Sequence, residues 1–508
     1  MKHLIFLVFV RISLALDYSE EAKKYYDPGV DPCDNFYRHV CRLGGPPFLP
    51  AHFGSMMMSE NQKRAEQNPK IYSEFEELEN DIQDQSSPRH FSELVASVYK
   101  TICESKQDTL PFLSELEKMF TKGDECQYRS CMTHLANDPD CNRVSQHLQS
   151  MFDGSDIMDS IDVKRMHNKS LKLARKMDSS WTNNQLSREG EFQNNFQEMK
   201  NVAIELIMET PWVKNHNASK MIVSLLDKIY TRNLWETTTE ALLKYLKKTK
   251  TVYSDCKRRY ANVSSDAIQQ YCLFFATITM KESPLFQRKL SDRALKEAFL
   301  TAQTGYPWIE VGYVWYQMFY TTENRVAKIA SPGWVIAHEM SHALIKSVNG
   351  DLLTYFSEEA KQCIQEQYQS SCKYFDEGNC AINDMHFEEN GADAFAVEIV
   401  WKLFENSYLK GEANFDEMES TEDLRQFFYS LASNLCDGEM QVSDGTDDHS
   451  PTNIRINAFV NHPAFQKAFQ CSDDSRMMQS KTKQCSVYGP RAPITRRRFS
   501  LFHRNILS

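Results

Sequence analysis

His338 and His342 stand four residues apart with Glu339 between them, in the run Ser331-Pro332-Gly333-Trp334-Val335-Ile336-Ala337-His338-Glu339-Met340-Ser341-His342. On a helix, residues four apart lie one turn above each other, so the two imidazoles can aim at one point. Zinc accepts two such nitrogens readily. Glu339 lies about 100° around the helix, too far to complete that pair as a ligand and well placed to act as a base on a water beside the metal. The elements around the box suit this. Ser331 serves as an N-cap and Pro332 as the first helical residue, where its missing N–H costs nothing, while Asn349-Gly350 supplies a stop. Trp334, Ile345 and the two histidines share one face, flanked by Val335, Ile336 and Leu344, which describes a mostly buried helix.

A catalytic zinc commonly takes three protein ligands and leaves the fourth position open. The third is expected downstream on another helix. Phe387 to Val400 reads as one, with Glu389 and Asp393 one turn apart on the same side. One of the two can bind metal while the other accepts the second ring N–H of a ligand histidine, fixing its tautomer. An acidic helix start near the positive end of the dipole also accounts for Glu388 or Glu389, but less well for Asp393 among Ala, Phe and Val.

Farther on, Asp448-His449-Ser450-Pro451-Thr452-Asn453-Ile454-Arg455-Ile456-Asn457 sets a histidine and an arginine around a proline. HExxH, ENxAD and HSPxxxRxN in this order resemble the neprilysin and endothelin-converting-enzyme family of zinc metallopeptidases. The opening Asp31-Pro32-Cys33-Asp34-Asn35-Phe36-Tyr37-Arg38-His39-Val40-Cys41 and the close, Phe465 to Cys471 and Lys483 to Val487, resemble it too. The resemblance implies one Zn2+ per chain on His338, His342 and Glu389, with Glu339 as general base and Asp393 orienting a ligand histidine. It also implies that His449 stabilises an oxyanion and Arg455 grips a substrate carbonyl. Trp334 and Val335 help to line the pocket for the side chain after the scissile bond, and Gln317, in Gln317-Met318-Phe319-Tyr320, stands where the family has the asparagine of a substrate-pairing strand.

The implied fold is mainly α and two-lobed, with a small β element beside the active-site helix. Composition agrees: 508 residues, 41% apolar, with only 17 Gly and 17 Pro, fit a helical chain with a substantial core. A net charge of -11 argues against nucleic acid as a partner. The reading assigns residues 1–16 to a secretory signal, since Arg11 interrupts an apolar run too short for a membrane span. Residues 17–85 open the catalytic lobe, 86–284 form a second lobe shorter than its family counterpart, 285–487 complete the catalytic lobe, and 488–508 form a basic tail with scope for weak polyanion contact. Sequons at Asn168, Asn217 and Asn262 suit a secreted glycoprotein.

Fourteen cysteines suit an oxidising compartment. Spacing does not give their connectivity. The resemblance implies Cys33–Cys471, Cys41–Cys436, Cys363–Cys485 and Cys103–Cys272, and the reading pairs Cys372 with Cys380. Departures from the family pattern are Gln317, Ile345 where an aspartate is usual, and Gly391 where isoleucine is usual. The function expected is a secreted zinc endopeptidase cleaving short peptides on the amino side of hydrophobic residues. The alternative is a secreted binding or decoy protein that keeps zinc without turnover, and a purely structural glycoprotein has no use for His449 and Arg455.

Overall fold

The computed structural model describes residues 16–42, 44–66, 90–119, 135–152, 167–174, 176–177, 189–209, 219–261, 266–281, 292–345, 358–375, 384–409, 421–436 and 448–485, with single positions 75, 78, 80 and 382. The expected signal, the basic tail, the helix stop at Asn349-Gly350, and the sequons at Asn217 and Asn262 lie outside these residues. The fold is mostly helical. Its elements include α1 (Glu189–Glu209), β1 (Tyr230–Asn233), β2 (Ala302–Thr304), β3 (Trp308–Val311), α2 (Tyr313–Thr321), α3 (Pro332–Ile345), α4 (Glu358–Phe375), α5 (Phe387–Leu409), α6 (Thr421–Ser433) and α7 (Thr452–Asn457).

The chain forms two compact units, one made of residues 1–57, 183–234 and 299–508, the other of 58–182 and 235–298. This differs from a continuous middle lobe over 86–284. The reason is a strand pairing: β1 runs parallel to β3, with Tyr230 opposite Trp308 and Asn233 opposite Val311, which returns the chain to the first unit in mid-sequence. β2 pairs antiparallel to β3 on its other side, so the sheet order is β1-β3-β2 and β2 is an edge. Gly305, Tyr306 and Pro307 make the β2–β3 turn, and an added Cβ at Gly305 would lie 2.6 Å from the Trp308 indole nitrogen, so a larger residue there would displace that ring.

In the first unit α3 and α5 pack against each other. α5 buries Ala392, Phe395, Ala396, Ile399, Val400 and Phe404 on one side and the polar Glu389, Asn390 and Asp393 as well, so it is an internal helix. Cys33–Cys471 and Cys41–Cys436 tie the segment around Phe36–Val40 to the far end of the chain. Between them Asn457 accepts from the Tyr37 amide at 2.9 Å, and Phe36 packs edge-on against Phe465 at 5.1 Å. Cys363–Cys485 anchors α4.

The second unit is built from helices that include Phe91–Glu104, Cys141–Phe152, Leu234–Arg259 and Asp266–Lys281. Its core stacks Phe91 on Phe274 at 4.4 Å. Here the expected Cys103–Cys272 bond is corrected: the bonds are Cys103–Cys141 and Cys256–Cys272. The two bonds span 38 and 16 residues, both far shorter than the expected pairing, and leave Cys103 and Cys272 no sulfur for each other. Cys372 is also disulfide-bonded, while Cys380 lies outside the described residues.

Two buried histidines set an acid limit on the fold. Burial lowers His167 to about 4 and His462 to about 3, the latter helped by Lys481. Folded-state values below the unfolded one, about 6.5, mean stability that is full above pH 6.5 and lost as pH falls. Each histidine should cost about 1.4 kcal/mol per pH unit below that point. Urea unfolding of chelator-treated protein should therefore show a midpoint that drops steadily from pH 6.5 to 4.5, and a flat midpoint over that range would refute the neutral-histidine account.

Candidate metal centre

α3 begins at Pro332 as the sequence requires. Ser331 stands at the cap position, but its hydroxyl donates to Asn434 Oδ1 at 2.7 Å, and Asn434 in turn donates to the Ser331 carbonyl at 2.9 Å. The helix start is thus held to the end of α6 and not capped by its own side chain. From this fixed start His338 and His342 project together, 6% and 4% exposed. Their Nε2 atoms lie 3.1 Å apart, and Glu389 Oε2 of α5 lies 3.0 Å from the first and 3.1 Å from the second. Three donor atoms from two helices meet at one point.

Behind this point sits a second layer. Asp393 Oδ1 is 2.9 Å from His338 Nδ1. Arg455 of α7 clamps the same carboxylate, Nη2 to Oδ1 at 2.7 Å and Nε to Oδ2 at 2.8 Å, and the Tyr368 hydroxyl of α4 donates to Oδ2 at 3.0 Å. The resemblance put the Arg455 guanidinium on a substrate carbonyl; the structure gives two of its three nitrogens to Asp393 and leaves the chain 9% exposed there.

Charge follows from these contacts. Burial opposes ionisation of Asp393 and Glu389, yet Arg455 for the first and three imidazoles for the second outweigh it, so both are held well below the usual carboxylate range. Burial likewise opposes the His338 cation, and Asp393 and Glu389 overcome it, raising the group to about 9. Metal binding here must release a proton.

His449 reaches the centre from the loop before α7. Its side chain is 42% exposed; Nε2 is 3.2 Å from Glu389 Oε2 and Nδ1 is 3.2 Å from Asp448 Oδ1. The ligand atoms of Glu389, Asp448 and His449 also lie within 4.8 Å of one another, but the two carboxylates face opposite nitrogens of the ring. The loop is fastened by Ser450, whose hydroxyl donates to Asn390 Oδ1 at 2.8 Å. This explains the serine of one motif and the asparagine of another as partners.

Gln317 is corrected in its element: it lies in a helix, α2, not a strand. Tyr313-Val314-Trp315-Tyr316-Gln317-Met318-Phe319-Tyr320 is buried throughout, and Gln317 itself is 0% exposed with no hydrogen-bond partner for either amide atom. The strand beside α3 is β2, joined through a Gly-Tyr-Pro turn to β3, whose alternation Trp308-Ile309-Glu310-Val311 is the signal in the sequence. Trp334 and Val335 are 2% and 7% exposed, the indole 5.4 Å from the His338 ring. Sequence reasoning also passed over Thr304, whose hydroxyl touches Glu339, and Tyr368; the lone threonine carries no motif, and the tyrosine lies in a helix whose face only packing reveals.

Residues 308–485 match the model of peptidase family M13. The neprilysin-like motifs from HExxH to HSPxxxRxN all fall within that M13 span, as do the three convergent donors. Among solved structures, a chain titled "Haemonchus galactose containing glycoprotein complex" is 14% identical, with 91% of this chain and 97% of that one covered, at a TM-score of 0.44. No curated protein matches.

The donor set fits zinc. Two neutral-capable imidazoles and one ionised carboxylate are an N2O set of the hydrolytic type, and His338 has the carboxylate behind it that such ligands generally have. His338, His342 and Glu389 form the candidate metal group.

Proposed function

We propose that the chain is a secreted, zinc-dependent endopeptidase that cleaves short peptides on the amino side of hydrophobic residues. The observation that carries this is the meeting of His338 Nε2, His342 Nε2 and Glu389 Oε2 within 3.1 Å, with Glu339 on the next helical position. Zinc held by these three supplies Lewis acidity toward a peptide carbonyl. Glu339 takes a proton from the attacking water and returns it to the departing amine. His449 donates to the oxyanion that grows on the carbonyl oxygen. Asp393, braced by Arg455 and Tyr368, keeps His338 in the tautomer that leaves Nε2 for metal. Substrate backbone pairs with the open side of β2, the role that the sequence reading gave to Gln317, because β2 is the strand beside α3 that, among the described residues, has a partner on one side only.

Five disulfides with both sulfurs described support an oxidising compartment. No helix among the described residues is long and apolar enough to cross a membrane. The test is cleavage of a peptide library by the purified chain, with and without chelator. Cuts before Leu, Val and Ile are expected, abolished by chelator and restored by zinc, and Trp334→Ala should admit larger side chains at that position. A zinc-loaded chain that cuts nothing is the binding protein of the alternative reading.

A further inference from the structure

We infer that Thr304 is a positioning residue for Glu339, its hydroxyl holding the carboxylate of the general base in place from the edge strand β2. The inference rests on the peptidase reading and names a residue outside every motif that supports that reading. Thr304 Oγ1 lies 3.1 Å from Glu339 Oε2 and also donates, through a short contact, to the Glu339 backbone carbonyl. Among the described residues, no other hydrogen-bond partner of the Glu339 carboxylate is found.

The hydroxyl has one proton and faces two acceptors of the same residue. It donates to one at a time and offers a lone pair to the other. Either arrangement fixes the Glu339 side chain against β2 through one hydroxyl. Neither valine nor alanine can do this, and serine can.

The hydroxyl is also well fixed. Threonine is stiff at χ1 because it branches at Cβ. The strand that carries it is tied at both ends: Gly305 N–H donates to the Trp308 carbonyl at 2.8 Å, Gly312 N–H to the Thr301 carbonyl at 2.7 Å, and Trp315 Nε1–H to the Leu300 carbonyl at 2.8 Å. Thr304 itself stands opposite Ile309 in the β2–β3 ladder. Glu339 is 8% exposed, so little water reaches its side chain to substitute for a lost partner. One side chain therefore connects the strand proposed to pair with substrate to the base proposed to act on it.

The experiment compares Thr304→Val and Thr304→Ser with wild type on one quenched peptide, measuring kcat, KM and zinc per chain on the same preparations. Thr304→Val should lose about ten- to a hundredfold in kcat, the scale of a charged hydrogen bond and of a misplaced reacting group. Its KM should stay within about twofold and its zinc content unchanged, since no ligand is altered and the backbone of β2 that would pair with substrate is kept. Thr304→Ser should recover most of the loss. Wild-type kcat in zinc-loaded Thr304→Val overturns the inference and leaves the peptidase reading intact. So does a Thr304→Ser chain as slow as Thr304→Val, which would mean that the methyl group and not the hydroxyl matters. Loss of zinc in Thr304→Val overturns it as well, because Thr304 would then be holding the site together and not the base. A wild-type chain that turns over no peptide removes both readings at once.

Discussion

Glu339→Gln should bind zinc as wild type does and lose at least about 100- to 10,000-fold in turnover, the range general acid–base groups contribute. The substitution keeps side-chain length and helix propensity. It leaves His338, His342 and Glu389 untouched, and the Thr304 hydroxyl can still bond to an amide. What goes is the ability to take a proton and return it. His338→Ala should behave differently and lose metal and turnover together, since it removes a nitrogen that lies within 3.1 Å of both other donors. Elemental analysis and peptide cleavage on the same preparations separate the two. A Glu339→Gln chain that cleaves as fast as wild type would remove the general-base role; a wild-type chain that holds zinc and cleaves nothing would remove the peptidase.

Asp393→Ala carries the largest expected effect on stability. Asp393 is 2% exposed, is the acceptor for two Arg455 nitrogens and for the Tyr368 hydroxyl, and lies 2.9 Å from His338 Nδ1. Arginine cannot shed its charge. Removing the carboxylate therefore leaves a buried cation unpaired, at a cost of about 3–5 kcal/mol. It should also weaken zinc binding by about 10- to 100-fold, because His338 loses the group that fixes its tautomer. A second change tells the two effects apart. Asp393→Ala with Arg455→Met takes away the stranded charge and should regain most of the stability in urea unfolding, but not the zinc affinity measured against a competing chelator. Recovery of both would mean that Asp393 acts on the fold alone.

The candidate metal group could be picked out in the sequence because each pair is local. His338 with His342 and Glu389 with Asp393 are spaced one helical turn apart, and helix geometry does the rest. Their meeting across α3 and α5 is long-range and came from the resemblance. The same source placed Cys33–Cys471, Cys41–Cys436 and Cys363–Cys485, all in the first unit, where the motifs that carry the resemblance lie. It misplaced Cys103, in the second unit, where no such motif fixes the partner and a cysteine closer in sequence is available. The unit boundary was hidden for a related reason: Tyr230 pairs with Trp308, and nothing in a four-residue strand announces a partner so far along the chain. Gln317 was misread because Gln-Met-Phe-Tyr matches a strand motif in letters, whereas the unbroken apolar run around it, from Tyr313 to Tyr320, is what a fully buried helix looks like. Arg455 shows a different limit. Its motif marks it as important, and only the coordinates show that Asp393 is what it holds.

The bonds Cys33–Cys471 and Cys41–Cys436 span 438 and 395 residues, and this imposes an order on biosynthesis. Ribosomes add about 5–20 residues per second, so the segment around Phe36 must wait tens of seconds after emerging before its partners exist. Phe36, Tyr37 and Val40, all buried in the finished fold, are exposed in that interval beside two free thiols. Vectorial folding from the front is therefore closed to the first unit, whose opening segment gains its covalent partners only when the end of the chain has been made.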